Sequence, residues 1–95
     1  MAIIYYSKPD CPLCDEGLEI VVELAGRCGL DVRKVNINRH PTLTEKYRHR
    51  IPVVCLEDTT GEDELSSGRL TLKSVEGRLR SALEAGKKRR GHSSK

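Results

Sequence analysis

The feature that most constrains this chain is an unbroken apolar run, residues 2–6, that leads almost at once into a helical pattern. The run is rich in β-forming side chains and is typical of a strand buried on both faces, as strands with parallel neighbours are. Apolar residues then recur at helical spacing, with two more widening the stripe: Leu18, Val21, Val22, Ala25 and Cys28, with Ile20 and Leu24. The sequence therefore predicts a central strand followed by a largely buried helix.

The segment after this helix predicts a parallel strand pair. Gly29 follows the apolar stripe, and glycine is a frequent C-terminal stop for helices. Residues 32–37 then form a short strand in which Val35 and Ile37 alternate with polar residues. A crossover of this length normally makes the two strands parallel and the connection right-handed.

Three further elements follow. Leu43 and Tyr47, four apart after Pro41, predict a short second helix. Residues 51–56 predict a strand, and the turn residues 58–61 join it to a polar segment that ends at Ser66. We expect a hairpin whose second strand lies at the edge of the sheet.

The last helix has the clearest start signal. Thr71 can act as its N-cap, with Leu70 and Val75 in the positions of a hydrophobic staple. Its buried stripe consists of Leu72, Val75, Leu79 and Ala82 or Leu83. We expect this helix to end near Gly86.

A chain of 95 residues has the size of one domain, which we assign to residues 1–86. Residues 87–95 contain no apolar side chain and predict a disordered basic tail. Five of the 17 basic residues lie in this tail, which leaves twelve against 14 acidic residues, a balance of −2 for the body. The body therefore carries no general signal for nucleic acid, and we expect no specific nucleic-acid partner.

The start of the chain predicts a cytoplasmic protein with no membrane partner. No basic region precedes the first apolar run, which is far shorter than a signal-peptide core or a membrane span. In a reducing compartment, four cysteines indicate thiols used in chemistry or metal binding rather than a disulfide framework.

The motif Cys11-Pro12-Leu13-Cys14 stands where the first strand gives way to the first helix. Proline is favoured at the first position of a helix, so Cys11 falls at the helix N-terminus. Unpaired backbone N–H groups and the helix dipole stabilise a thiolate there, and we expect the Cys11 pKa to fall below the free value of about 8.5. Cys14, one turn later on the same face, is placed to resolve a mixed disulfide on Cys11.

Charges beside the motif predict a reducing or intermediate redox protein. Asp15 and Glu16 oppose thiolate formation in the first turn, and Lys8 partly offsets them. The alternative of a zinc half-site needs two further ligands, but Cys28 and Cys55 fall on a buried helix stripe and in a strand, where we expect core thiols. No second CxxC pair is present, so redox chemistry is favoured over a metal site, with an unused pair as a further alternative.

Two segments carry a family pattern: residues 6–14, Tyr-Ser-Lys-Pro-Asp-Cys-Pro-Leu-Cys, and, after Tyr47, residues 50–54, Arg-Ile-Pro-Val-Val. Together they resemble the short bacterial glutaredoxin-like proteins of the thioredoxin superfamily. The resemblance covers residues 2–85 and implies an α/β thioredoxin fold, a four-stranded mixed sheet with three helices in the order β-α-β-α-β-β-α. It also implies a thiol-disulfide oxidoreductase that reduces protein or glutathione mixed disulfides.

The resemblance assigns roles to individual residues. Cys11 is implied to be the exposed nucleophile and Cys14 the resolving cysteine. Pro52 is implied to be a cis proline that faces the dithiol, so that Ile51 offers its N–H and C=O to an incoming peptide or glutathione. Lys8 matches a lysine that binds the glycyl carboxylate of glutathione, and the remaining candidates for substrate contact are Pro12, Arg50 and Gly68.

One element of the family pattern is missing. Glutaredoxins carry Gly-Gly and an Asp after the hairpin, where they hold the γ-glutamyl end of glutathione; residues 66–70 here read Ser-Ser-Gly-Arg-Leu. Arg69 thus places a cation where the family has a carboxylate, which would suit a different part of a substrate; the favoured alternative is an ordinary surface residue. Arg50 would border the groove and favour acidic partners.

The predicted molecule is a monomer with no tightly bound cofactor and no metal. Glutathione is a candidate co-substrate, and either glutathione or a reductase is the electron donor. Two alternatives remain open. One is a non-catalytic peptide-binding module of the same fold. The other is a carrier in which Cys11 and glutathione of two chains hold a [2Fe-2S] cluster.

Overall fold

The structure, a computed structural model, describes residues 1–93 and the side chains of residues 1–84. Within that range, four strands and three helices follow the predicted order: β1 (Ala2–Ser7), α1 (Pro12–Cys28), β2 (Asp31–Asn36), α2 (Pro41–Tyr47), β3 (Val53–Asp58), β4 (Gly61–Ser67) and α3 (Leu72–Ser93). A single 3₁₀ turn, Ile37–Arg39, stands between β2 and α2.

The sheet is mixed, with the strand order β2-β1-β3-β4, which confirms the predicted α/β class. β1 has one parallel neighbour, β2, and one antiparallel neighbour, β3, rather than parallel strands on both sides. In this register Ser7 pairs with Asn36, Tyr6 with Val53, and Val53 with Ser67. One terminus of each strand therefore lies at the same end of the sheet, which we call the dithiol edge: Ser7, Asn36, Val53 and Ser67.

Both faces of the sheet are covered. Side chains of β1 alternate, so that Ile3 and Tyr5 pack beneath α1 and α3 while Ile4 and Tyr6 pack on the side of α2. All four are buried, as the continuous apolar run predicts. The first cluster is the larger: Ile3, Tyr5, Val21, Leu24, Ala25, Val54, Leu56, Leu65, Leu70, Val75 and Leu79.

Helix α1 begins and ends at the predicted residues but turns a different face to the sheet. Gly29 ends it in the left-handed conformation, at φ 68°. The buried residues of α1 are Cys14, Gly17, Val21, Leu24 and Ala25. Val22 is 52% exposed and Cys28 is also exposed, so their predicted places in the core are wrong. Gly17 is fully covered at this turn and Leu18 is half-buried against the larger cluster, while Val22 and Cys28 face solvent.

Strands β2 and β3 are shifted slightly from their predicted bounds. β2 ends at Asn36, and Ile37 opens the 3₁₀ turn with its side chain fully buried. β3 begins at Val53, because Ile51 and Pro52 lie before the sheet pairing starts. Beyond the turn, β4 lies at the edge of the sheet, as predicted.

The start of α3 has the predicted cap. The Ser74 N–H donates to Thr71 Oγ1 at 3.2 Å, and Leu70 and Val75 are both buried in the larger cluster. The helix then continues through Gly86 to Ser93, since one glycine costs a helix about 1 kcal/mol and does not by itself end it. The predicted end near Gly86 is therefore wrong, and residues 87–93 of the predicted disordered tail are helical. Side chains from residue 85 onward, and residues 94–95 entirely, lie outside the described part. Among the described residues, no helix is both long and apolar enough to cross a membrane.

Candidate dithiol site

The loop between β1 and α1 places Cys11 at the dithiol edge. β1 ends at Ser7, and three exposed residues, Lys8, Pro9 and Asp10, lead to the helix. Asp10 has φ 59°, in the left-handed region that Asp tolerates better than most residues. The chain therefore turns directly before Cys11, which becomes the N-cap of α1 with Pro12 in the first turn, as predicted.

Cys11 and Cys14 are joined by a disulfide, with their Cα atoms 5.1 Å apart. The Cys14 N–H donates to Cys11 Sγ at 3.2 Å, so a sulfur satisfies one of the free amides of the helix start. The Asp15 N–H donates to the Cys11 carbonyl at 3.1 Å. After reduction, the same amide and the positive end of the helix dipole would stabilise a thiolate on Cys11.

The two cysteines differ slightly in exposure, and both are largely buried. Cys11 is 9% exposed and Cys14 is 3% exposed. Cys11 is therefore the outer cysteine, but it is less exposed than predicted, because its sulfur is turned toward the Cys14 amide. Pro12 and Leu13, which is 38% exposed, form the accessible apolar rim of the motif.

Tyr5 fixes the turn that carries Cys14. Its hydroxyl donates to the Cys14 carbonyl at 2.7 Å in the protein interior. Burial raises the Tyr5 pKa, and the charge of Asp15 raises it further, so the hydroxyl stays a donor. A Cβ on Gly17 would overlap the Tyr5 hydroxyl and lie 2.8 Å from Leu70 Cδ1. The absence of a side chain at this position therefore lets α1 pack closely against Tyr5 and Leu70. Neither the role of Tyr5 nor that of Gly17 is predicted from the sequence, although a glycine inside a helical stripe signals close packing.

The Ile51-Pro52 bond is cis, as the family resemblance implies. The Gly68 N–H donates to two carbonyls, that of Arg50 at 2.8 Å and that of Pro52 at 2.9 Å. Gly68 has φ 76°, which a residue with a side chain rarely adopts. The end of β4 is thus bonded to the loop that carries the cis proline, and we call residues 50–52 together with Gly68 the proline clip.

Two predicted substrate contacts in the proline clip are already engaged. The Ile51 N–H, expected to meet a substrate, donates instead to the Tyr47 carbonyl at 3.1 Å. The Arg50 guanidinium bonds to the Glu64 carboxylate and lies 5.7 Å from the centre of the Tyr47 ring. Arg50 is therefore ion-paired with β4 at a partly exposed position, which makes it less available to an acidic partner than a free guanidinium.

Lys8 lies on the other side of the dithiol edge from the proline clip. It lines a cavity of about 270 Å³ at the ends of β1 and β2. Cys14, Asp15, Lys34 and Asn36 line the same cavity. The structure thus brings Lys8 close to the inner cysteine.

A second buried group of polar side chains lies on the opposite face of the sheet. Burial raises the pKa of the Cys55 thiol to about 11, and the charges of Glu62 and Glu64 add to the shift. Cys55 is therefore a neutral core thiol, as predicted. The Tyr6 ring packs 4.9 Å from that of Tyr47, and its hydroxyl donates to Glu62.

In the part of the chain whose side chains are described, no group of three or more His, Cys, Asp or Glu residues is arranged to hold a metal ion.

Comparisons with known proteins agree with this geometry. The family model described as "Glutaredoxin-like domain (DUF836)" matches residues 2–81. A structural genomics target, XcR50 from X. campestris, is 28% identical over 84% of this chain and 97% of its own, with a TM-score of 0.68. A search of curated proteins finds no match.

Two more distant structures show the fold alone. Thioredoxin 1 from the thermophilic eubacterium Thermosipho africanus TCF52B is 19% identical over 92% of this chain and 99% of its own, with a TM-score of 0.69. A malarial protein is 14% identical over 84% and 93%, with a TM-score of 0.61. These likenesses confirm the predicted thioredoxin fold.

Proposed function

Since the chain belongs to the glutaredoxin-like domain family, we propose that it is a dithiol-disulfide oxidoreductase that reduces protein or glutathione mixed disulfides through Cys11 and Cys14. One observation carries this proposal: the two cysteines are bonded across the first turn of α1, with the outer sulfur accepting a hydrogen bond at the helix N-terminus. A helix N-terminus favours the thiolate, which is the attacking species in disulfide exchange.

The reaction moves two electrons from the protein to its substrate. The Cys11 thiolate attacks one sulfur of the substrate disulfide, which forms a mixed disulfide and releases the first substrate thiolate. Cys14, as a thiolate, then attacks Cys11 Sγ. The Cys11–Cys14 disulfide forms, and the second substrate thiolate leaves and takes up a proton. A thiol reductant, either glutathione or a reductase, then restores the dithiol.

The surroundings suit each cysteine to its step. The more exposed Cys11 meets the substrate, while Cys14, at 3% exposure, is sheltered from other oxidants until the mixed disulfide forms. Tyr5 fixes the position of the Cys14 backbone through its hydrogen bond. At the proline clip, the Ile51 carbonyl remains for strand-like docking of a substrate backbone.

Glutathione would act as a co-substrate rather than a bound cofactor. Lys8, beside Lys34 in the cavity next to Cys14, is the candidate for its carboxylate. Two further free thiols, Cys28 and Cys55, suit a monomer that works in a reducing compartment, which we propose is the cytoplasm.

The test is single-turnover reduction of a peptide disulfide by the pre-reduced protein. Cys11→Ser should abolish the reaction, and Cys14→Ser should stop it at a mixed disulfide that mass spectrometry assigns to Cys11. Cys28→Ser is the matched control and should react at the wild-type rate, because Cys28 lies at the opposite end of α1. Full peptide binding without any thiol release would overturn the proposal and favour the peptide-binding module.

A further inference from the structure

We propose that the dithiol edge selects disulfides flanked by acidic residues, and that Arg48 and Arg69 beside the proline clip make this selection. The inference rests on the proposed function and names the substrate class of the same site. It concerns Arg48, which has no role in the resemblance or in the proposed mechanism, and Arg69, which stands where the family has a carboxylate.

The backbone brings the two arginines to the same place. The Gly68 N–H bonds to the carbonyls of Arg50 and Pro52, which joins the two chain segments. Arg69 directly follows Gly68, and Arg48 precedes Arg50 by two residues. Both side chains are exposed.

These two guanidinium groups are available to a partner. Among the described residues, the ion pairs use other arginines, such as Arg50 with Glu64 and Arg33 with Glu57. Glu64 on the nearby strand is already ion-paired with Arg50, so it compensates Arg48 and Arg69 less than an unpaired carboxylate would. Free guanidinium groups bind carboxylates through paired N–H donors, which suits acidic side chains of a substrate.

The proline clip lies at the same edge of the sheet as the dithiol. Tyr6, one residue before the end of β1, pairs with Val53, and Val53 pairs with Ser67. Pro52 and Gly68 each lie one residue beyond this pairing, on the side to which the chain continues from β1 toward Cys11.

Charges on the opposite side of the dithiol strengthen the selection. The turn before α1 and its first turn carry three exposed carboxylates, those of Asp10, Asp15 and Glu16. Lys8 and Lys34, which line the cavity on this side, offset two of them and leave one net negative charge. Acidic residues of a substrate are therefore stabilised more by Arg48 and Arg69 than on this side, which favours one orientation across Cys11.

The test compares three peptide disulfides of equal length in which glutamate, serine or lysine flanks the cysteine. Each peptide is reduced once by the pre-reduced protein, in a single turnover, and once by dithiothreitol alone. The ratio of the two rate constants cancels the intrinsic reactivity of each disulfide. At low ionic strength, the glutamate peptide should react about three- to tenfold faster than the serine peptide, as two exposed charge pairs allow. The lysine peptide should be the slowest, and high salt should compress the differences.

Matched variants assign the effect to the two arginines. The double variant Arg48→Gln, Arg69→Gln should bring the ratio of glutamate to serine peptide close to one. The control, Arg27→Gln with Arg80→Gln, removes the same charge elsewhere and should keep the wild-type ratio; Arg27 lies in the last turn of α1, about 24 Å along the helix from Cys11. Because each value is a ratio within one protein, a general loss of activity does not mimic the result.

The possible failures are distinct. Equal rate constants for all three peptides in the wild type would overturn the charge selection and leave the proposed function standing. An unchanged ratio in the Arg48 and Arg69 variant would likewise overturn it. Reduction of none of the three peptides would instead overturn the proposed function itself, and the inference with it.

Discussion

Replacing Gly17 with alanine would place a methyl group in space that two other side chains already occupy. The new Cβ would lie 2.8 Å from Leu70 Cδ1 and would overlap the Tyr5 hydroxyl. Overpacking of this kind costs about 1–3 kcal/mol. Displacing the Tyr5 hydroxyl from the Cys14 carbonyl adds about 1–2 kcal/mol, because both groups are buried. The higher helix propensity of alanine offsets about 1 kcal/mol of this loss.

The expected net loss is about 2 kcal/mol in the free energy of unfolding, which for a domain of this size lowers Tm by roughly 10 °C. The assay is urea unfolding of the oxidised protein, followed by circular dichroism. Gly26→Ala is the matched control on the same helix, because nothing lies within 4 Å of the position its Cβ would take. That variant should be stabilised by about 0.5–1 kcal/mol. Equal stabilisation of both variants would refute the packing argument at Gly17.

Two further predictions concern buried titratable groups. Burial raises the pKa of Cys55 from its ordinary 9.0 to about 11, so the unfolded chain loses this proton first. As pH rises from 9 to 11, the free energy of unfolding should fall by about 2 kcal/mol from this group. Urea unfolding across this pH range should show a shallower fall in Cys55→Ala, and an unchanged slope would contradict the assignment. Tyr5→Phe keeps the ring but leaves the Cys14 carbonyl without its donor, so it should lower the free energy of unfolding by about 1–2 kcal/mol in urea at neutral pH. A loss under about 0.3 kcal/mol would mean that this hydrogen bond contributes nothing net.

Much of the fold follows from local patterns in the sequence. The apolar run before Cys11 predicts a buried strand, Pro12 predicts the start of α1, and Gly29 predicts its end, because each signal depends on a residue's own backbone preference. The N-cap position of Cys11 follows from the same signals. The dithiol could therefore be located without tertiary information.

Other features depend on contacts between distant segments and could not be predicted. Hydrophobicity alone assigns Val22 to the buried stripe, whereas the packing of Tyr5 and Leu70 over Gly17 decides which face of α1 meets the sheet. Arg50 reads as a free cation until β4 brings Glu64 beside it. Such pairings are set by strand register, which no local pattern near either residue encodes.

The most direct test of the central claim uses two cysteines of one helix as probe and reference. Cys11 lies at the positive N-terminus of α1, whereas Cys28 is its last residue, at the negative end. In the reduced protein at pH 7, limiting iodoacetamide followed by peptide mass spectrometry measures both alkylation rates in the same molecules. A thiolate stabilised at the helix start predicts that Cys11 reacts about tenfold faster than Cys28, although Cys28 is the more accessible in the structure. Alkylation of Cys11 no faster than that of Cys28 would contradict the assignment of Cys11 as an activated nucleophile.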